Sequence, residues 1–443
     1  MKKVKPLTIS LAFAMLLFLL GVAAGQTVPD VLWTYSGVGA SSPAIAADGT
    51  VYIGGSSGLL AITNSGSTAS NKWTFPVTVY PSSSPAVGAD GTIYFVDYNG
   101  SLNALNPDGS SKWLYAGGGG GGTPAIGLDN TIYYQAYTGL FAITPSGSRK
   151  WKGAVGAIGY FSSPVVGMDG TVYIGSFASQ KLYAVNPDGT NKWVQDLLGN
   201  GDSPVIGSDG TIYITAGYLY AFSADGTNLW TSSADSLKGP LVMGEDGTIY
   251  VLADISHALY AISPGGQTVT NLFGGQGSLS PGWAAAVDAA GIIYYCGANG
   301  IWALNRTGTV QWSITNSSPP LQTYTSPIIG PDGTHYATLD RTLYAIATGT
   351  TGPAKSPWPM YHQNARNTGK VEKPALKQPK KRADANFEFQ LYAQLGQTNV
   401  IEATTNLNIW TSLTNLVVTN VPMDVIDFTA SNFPARLYRT RTP

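Results

Sequence analysis

One short unit recurs eight times along this chain, and that periodicity limits the fold more than any other feature. Each copy carries an Asp-Gly pair or its equivalent after a short apolar run. The aspartates are Asp48, Asp90, Asp129, Asp169, Asp209, Asp246, Asp288 and Asp332, with spacings of 42, 39, 40, 40, 37, 42 and 44 residues. Asn130 replaces the glycine in the third copy, and Ala289-Ala290 precede Gly291 in the seventh.

The fourth copy shows what the unit predicts. Pro164-Val165-Val166 reads as a short first strand, and Asp169-Gly170 as a tight turn, since both residues tolerate the required backbone angles. Residues 171–174 are β-branched or aromatic and read as a second strand. Residues 182–185 form the third strand, 186–189 the next turn and 192–194 the fourth strand. Four strands in about 40 residues is the period of a β-propeller blade. The second strand repeats a tyrosine: Tyr52, Tyr94, Tyr133, Tyr173, Tyr213, Tyr250, Tyr294 and Tyr336. The third repeats an alanine, from Ala61 to Ala345, expected to let neighbouring blades approach closely. Fourth strands carry Trp73, Trp113, Trp151, Trp193, Trp230 and Trp312, with Leu272-Phe273 in the sixth copy. The eighth copy lacks a fourth strand, and residues 31–35 around Trp33 supply a spare one. The expected fold is therefore all-β: an eight-bladed propeller of four-stranded blades over residues 31–350, closed by its N-terminal strand.

Composition agrees. Charged residues make up 11% of the 443, aromatics another 11%, and there are 54 glycines. Disordered chains carry more charge and fewer aromatics, and helical bundles need far more Glu, Lys and Arg. Cys296 is the single cysteine, which excludes an internal disulfide, and its apolar strand setting predicts burial. Lys2, Lys3 and Lys5, an apolar stretch over 7–20 and Val22-Ala23-Ala24 predict a signal peptide over residues 1–24. The mature protein is then secreted, periplasmic or cell-surface, with no membrane span; an uncleaved anchor is the alternative.

The repeated runs Ser84-Pro-Ala-Val87, Gly91-Thr-Ile-Tyr94, Leu182-Tyr-Ala-Val185 and Asp188-Gly-Thr-Asn-Lys-Trp193 resemble the quinoprotein-type, PQQ-like repeat. That repeat builds eight-bladed propellers, both pyrroloquinoline quinone dehydrogenases and non-enzymatic relatives of the outer-membrane barrel-assembly machinery. Residues 351–370 include Ser356-Pro-Trp-Pro-Met-Tyr361, which resembles a segment flanking such propellers and is expected to be a packing clip. Residues 371–385 are basic and poor in apolar side chains, and are expected to be an exposed linker. Residues 386–443 return to strand patterning. Ile401-Glu-Ala403, Asn406 to Trp410 and Arg436 to Arg439 resemble a small C-terminal β module of secreted Verrucomicrobia and Planctomycetes proteins.

The dehydrogenases would need a calcium ion, the quinone, an Asp base, an Arg and, in many, adjacent cysteines. No such set can be matched here, so neither quinone nor calcium is expected. The Asp-Gly pairs lack the alternating oxygen ligands of a calcium loop. His257, His335 and His362 share no metal-ligand spacing. The run 117–122 of six glycines opens no helix, so it reads as a flexible loop between blades and not as a phosphate cradle. Residues 31–350 hold 10 Lys/Arg against 18 Asp/Glu, a net of −8, which disfavours nucleic acid.

Two functions follow. The first is a monomeric, non-enzymatic binding or scaffold propeller whose loops hold a protein or glycan partner. Its candidate contacts are Tyr80, Tyr160, Phe161, Asp202, Trp283 and Tyr324, which enter the first strands. The second is a quinone-dependent dehydrogenase or another propeller enzyme.

Overall fold

The structure is a computed structural model. It describes residues 29–39, 41–79, 83–127, 129–153, 155, 162–234, 236–253, 258–273, 284–297, 300–315, 325–356, 358–364 and 367–369, and further on 375–381, 386–392, 398–405, 411–417, 423–427 and 437–441. The predicted signal peptide lies outside them. Among the described residues there are eight four-stranded antiparallel sheets and two three-stranded ones. No helix there is long and apolar enough to cross a membrane.

Each four-stranded sheet except the eighth takes its strands in sequence order. In the fourth sheet they are Val165–Val166, Val172–Ser176, Lys181–Val185 and Asn191–Asp196. The repeated residues fall opposite one another across the ladder: Tyr173 faces Ala184, and Ala184 faces Trp193. Residues directly opposite share one face of the sheet. Alanine therefore leaves room above itself for the two rings, whose centroids lie 5.7 Å apart. Tyr52, Ala61 and Trp73 repeat this, as do Tyr336, Ala345 and Trp33. The alanine's role is set within its own sheet as well as between sheets.

The tryptophan also clamps the next sheet. The Nε1–H of Trp73, Trp113 and Trp151 donates to the carbonyls of Pro107, Pro145 and Pro187 at 2.9, 2.9 and 2.8 Å. These carbonyls sit in the turn between the third and fourth strands of the following sheet. Gly189 in one such turn has φ +92°, and a Cβ there would lie 2.9 Å from the Trp151 ring. A glycine is required on both counts.

The Asp-Gly-Thr turns are held by their own side chains. Asp169 Oδ1 accepts the Thr171 N–H, Oδ2 accepts the Thr171 hydroxyl at 2.7 Å, and Lys192 of the fourth strand adds an ion pair at 3.0 Å. Lys72, Lys112 and Lys150 do the same for Asp48, Asp90 and Asp129. Burial raises the Asp169 carboxyl, but the Thr171 and Lys192 hydrogen bonds outweigh it and hold it below the ordinary value.

The eighth sheet ends as expected from the strand count. Asp30–Ser36 pairs with Thr342–Ala347, with Trp33 opposite Ala345. Trp33 Nε1 donates to Asn64 Oδ1 at 2.9 Å, and Asn64 Nδ2 donates to Tyr336 OH at 2.7 Å, which ties the eighth sheet to the first. Buried clusters join neighbouring sheets, such as Ile53, Ile301 and Leu343 from the first, seventh and eighth.

The expected linker is corrected in part. Ala375–Lys381 is a strand, paired with Phe387–Tyr392 at the edge of a three-stranded sheet. Ladder bonds need only backbone groups, and basic residues suit an exposed edge. Pro379 falls within a register shift between Lys377 and Lys380, where a missing N–H is tolerated. The remaining strands are Thr398–Thr404, Thr411–Val417, Met423–Asp427 and Leu437–Arg441. Two motif pieces noted in the sequence meet there: Arg439 Nε donates to buried Glu402 at 2.7 Å.

Candidate functional site at the propeller axis

Strand direction defines two faces. The Asp-Gly turns lie on one, the turn face. The connections entering each first strand, and those between second and third strands, lie on the other, the loop face. Between them the first strands line the axis.

A girdle of hydroxyls runs from sheet to sheet at the start of these strands. The N–H of Ser42 donates to Ser84 Oγ at 3.0 Å, Ser84 to Thr123 at 3.0 Å, Thr123 to Ser163 at 2.9 Å and Ser163 to Ser203 at 2.9 Å. Ala284 donates to Ser326 at 2.9 Å, and Ser326 to Ser42 at 2.8 Å. All six hydroxyl residues are buried. The signal for them was the Ser/Thr-Pro pair that opens most first strands, which reads in sequence only as a strand start.

Gly239 and Ala284 lack the hydroxyl. Between the fifth and sixth sheets a carboxylate substitutes. Asp202 Oδ1 accepts the Ser203 N–H at 2.7 Å, and Oδ2 accepts the Gly239 N–H at 2.9 Å. Burial pushes the Asp202 carboxyl up to about 6, against the pull of those two N–H groups and of Lys238. Asp202, one of the expected partner contacts, bridges this seam. The other five candidates, Tyr80, Tyr160, Phe161, Trp283 and Tyr324, lie outside the described residues, as does His257.

The clip closes the turn face of the axis. Ala354 donates to Val287 O, and Val287 donates to Pro359 O, both at 2.8 Å. Met243 donates to Trp358 O at 2.7 Å. The chain then crosses the mouth. Asn367 Nδ2 donates to Pro43 O at 2.9 Å and Pro85 O at 3.1 Å, while Ile126 and Val166 donate to Thr368 O and Gly369 O. Six sheets are bound by one short segment. Trp358, Met360, Tyr361 and His362 are all buried. The Tyr361 hydroxyl reaches the girdle, 2.9 Å from Thr123 Oγ1 and 3.1 Å from Ser163 Oγ. Burial and the Asp202 charge push this phenol up to about 12.

Other groups weighed in the sequence fall elsewhere. His335 is buried against Tyr294, ring centroids 4.3 Å apart. Cys296 is buried, which pushes its thiol up to about 12 and removes its reactivity. Arg306 pairs with Asp246, and the Arg341 carbonyl accepts the Gly37 and Val38 N–H groups. The six-glycine run packs closely: Gly119 O accepts the Tyr137 N–H at 2.8 Å, and a Cβ on Gly119 would sit 2.3 Å from the Tyr137 ring. Among the described residues no three His, Cys, Asp or Glu side chains gather as a metal site.

Comparison with known proteins places this architecture. BamB from Moraxella catarrhalis superimposes with a TM-score of 0.58 at 16% identity, over 72% of this chain and 100% of that one. The C-terminal WD40 domain of Sif2 gives 0.57 at 10% identity, over 73% of this chain and 99% of that one. At such identities the likeness is one of fold. No curated protein matches the sequence. The family model described as outer membrane protein assembly factor BamB matches residues 22–225 and 215–352, and the chain belongs to that PQQ-like β-propeller family.

Proposed function

We propose that this protein is an exported, non-enzymatic propeller that holds a protein partner on its loop face. The observation that carries this reading is the clip. Tyr361 fills the axis between Thr123 and Ser163, and Asn367 spans Pro43 and Pro85, so the turn-face mouth is occupied by the chain itself. The loop face is left as the variable surface on a rigid scaffold. Kinship with a family described by an assembly factor supports a protein partner outside the cytoplasm.

Quinone and calcium form no part of this reading, which the engagement of carboxylates among the described residues supports. Asp48, Asp90, Asp129 and Asp169 are engaged by a threonine and a lysine each, Asp288 by two backbone N–H groups and the Tyr294 hydroxyl, and Asp202 by two backbone N–H groups. Calcium needs six to eight oxygen ligands around one point. A ligand that binds only the folded state at a hundredfold excess over its Kd stabilises it by about 2.7 kcal/mol. Pyrroloquinoline quinone with calcium is therefore expected to leave the melting temperature unchanged. A saturable rise, or dye-linked alcohol oxidation, would overturn the non-enzymatic reading. Cross-linking in the native envelope fraction, followed by identification of adducts, tests the binding role directly.

A further inference from the structure

The girdle at the axis stops at one seam. Followed from the seventh sheet, it runs from Ala284 to Ser326 in the eighth and Ser42 in the first. It continues through Ser84, Thr123 and Ser163 to Ser203 in the fifth. At each step a backbone N–H donates to the hydroxyl of the next sheet. Two hydroxyls are missing from the series, at Gly239 in the sixth sheet and Ala284 in the seventh. Gly239 has φ +93°, a conformation that suits glycine and not serine or threonine. The N–H groups of Ser203 and Gly239 therefore have no girdle hydroxyl ahead of them, and Asp202 takes both, at 2.7 and 2.9 Å. One carboxylate replaces two hydroxyls, and it does so from the fifth-sheet side. The sixth sheet is thus bound back to the fifth. Among the described residues no girdle bond reaches forward to the seventh.

The tryptophan clamp departs at the same seam. Indoles of Trp73, Trp113, Trp151 and Trp193 donate to the sheet that follows each. The sixth sheet carries Leu272-Phe273 instead, and neither side chain has a donor. Apolar packing remains there, with Val242 and Leu252 of the sixth sheet clustered with Val287 and Ile293 of the seventh. The Arg306–Asp246 pair at 3.3 Å is about half exposed and adds little.

The clip spans this seam more densely than any other. The Ser356 hydroxyl donates to Met243 O at 2.6 Å, and the Met243 N–H to Trp358 O at 2.7 Å. On the seventh sheet the Val287 N–H donates to Pro359 O, and Val287 O accepts the Ala354 N–H, both at 2.8 Å. Adjacent clip residues thus hold adjacent sheets. At the first four sheets Asn367, Thr368 and Gly369 add to a girdle already in place. At the sixth and seventh the clip stands in for it.

We propose that the seam between the sixth and seventh sheets is a latched opening: the ring parts there while its other seams stay closed, and residues 354–360 are the latch. Proteins open locally where the fewest interactions must break, and this seam lacks both devices that tie the first five sheets together. The Asp30–Ser36 closure lies elsewhere, in the eighth sheet, so the strand that completes the ring is not its opening point.

Thiol labelling of the full chain tests this. Ala285→Cys places a thiol at a buried position that clusters with Val242 and Leu252 of the sixth sheet. The native Cys296 clusters with Ala337 and Leu343 of the eighth sheet and serves as the internal control. Labelling by N-ethylmaleimide is followed by peptide mapping, each rate taken relative to that in denaturant. The introduced thiol should react at least about tenfold faster than Cys296 under native conditions, as local opening requires. Adding Ser356→Ala should speed the introduced thiol further and leave Cys296 unchanged. Equal rates at the two thiols, a faster Cys296, or a Ser356→Ala effect shared by both would overturn the proposal. Hydrogen exchange of the chain without the added thiol decides the matter if Ala285→Cys does not fold. There Ser356→Ala should raise exchange at the Met243 and Val287 amides and not at those of Ile126 and Val166, which also donate to the clip. A uniform rise, or none, would overturn it.

Discussion

His335 stands where the second strands of the other sheets carry Val51, Ile93, Ile132, Val172, Ile212, Ile249 and Ile293. It is fully buried, and neither ring nitrogen has a protein partner among the described residues. An unpaired buried polar group costs roughly 1–3 kcal/mol, and aromatic stacking on Tyr294 returns only about 0.5–1.5 kcal/mol. His335→Ile should therefore stabilise the protein by about 1 kcal/mol at pH 7, read from denaturant unfolding. The pH dependence has a definite sign. Burial holds His335 down at about 3, while the unfolded chain takes up its proton near 6.5. The unfolded state binds more protons in that window, so parent stability falls as the pH drops from 6.5 towards 3. The advantage of His335→Ile should widen over the same range. A constant difference from pH 7 to pH 4 would show that the imidazole is not held neutral. His335 was visible in the sequence as a strand residue. Its burial against Tyr294 was not, because that contact joins two sheets 41 residues apart.

The tryptophan clamp links neighbouring sheets at four places. It uses a ring over Tyr and Ala in one sheet, and a carbonyl and a glycine in the next. Gly189→Ala tests it, since the left-handed φ costs about 1–2 kcal/mol and the added methyl meets Trp151 at 2.9 Å. The variant should lose more than about 2 kcal/mol. Gly210→Ala makes a control, because it has a similar φ of +83° with open space around it. If both variants lose the same, the clamp contributes nothing beyond backbone strain. The strands, their turns and the Tyr-Ala-Trp pattern were legible because each depends on residues within one copy of the repeat. The clamp was not, because donor and acceptor lie 31 to 36 residues apart and meet only when sheets stack. Ala375–Lys381 was misread for a related reason. Edge strands form through the backbone and can look like linkers in composition.

At the scale of the molecule, two segments hold the propeller together: Asp30–Ser36 completes the eighth sheet, and the clip binds six sheets at the axis. Truncation after Gly369 should leave the propeller melting within a few degrees of the intact protein. Truncation after Gly352 removes Trp358, Met360 and Tyr361 from the core. At about 1.5–3 kcal/mol for each large side chain, roughly 5 kcal/mol or more should be lost. Thermal unfolding of the two truncations checks this. Equal melting temperatures would show that the clip is not structural. A large loss after Gly369 would make the C-terminal strands part of the propeller's stability.

The repeat by itself determined the all-β class, the four-strand unit, the spare strand around Trp33 and the family resemblance. Each is a local pattern of turn residues and alternating side chains, written eight times. Only the tertiary structure decided what happens at the axis, where hydroxyls from six sheets, the Asp202 carboxylate and the Tyr361 phenol come together. These groups are separated by up to 319 residues, from Ser42 to Tyr361, and no local period links them. Ring closure brings the starts of the first strands together around one axis, and burial there obliges each polar group to find a partner.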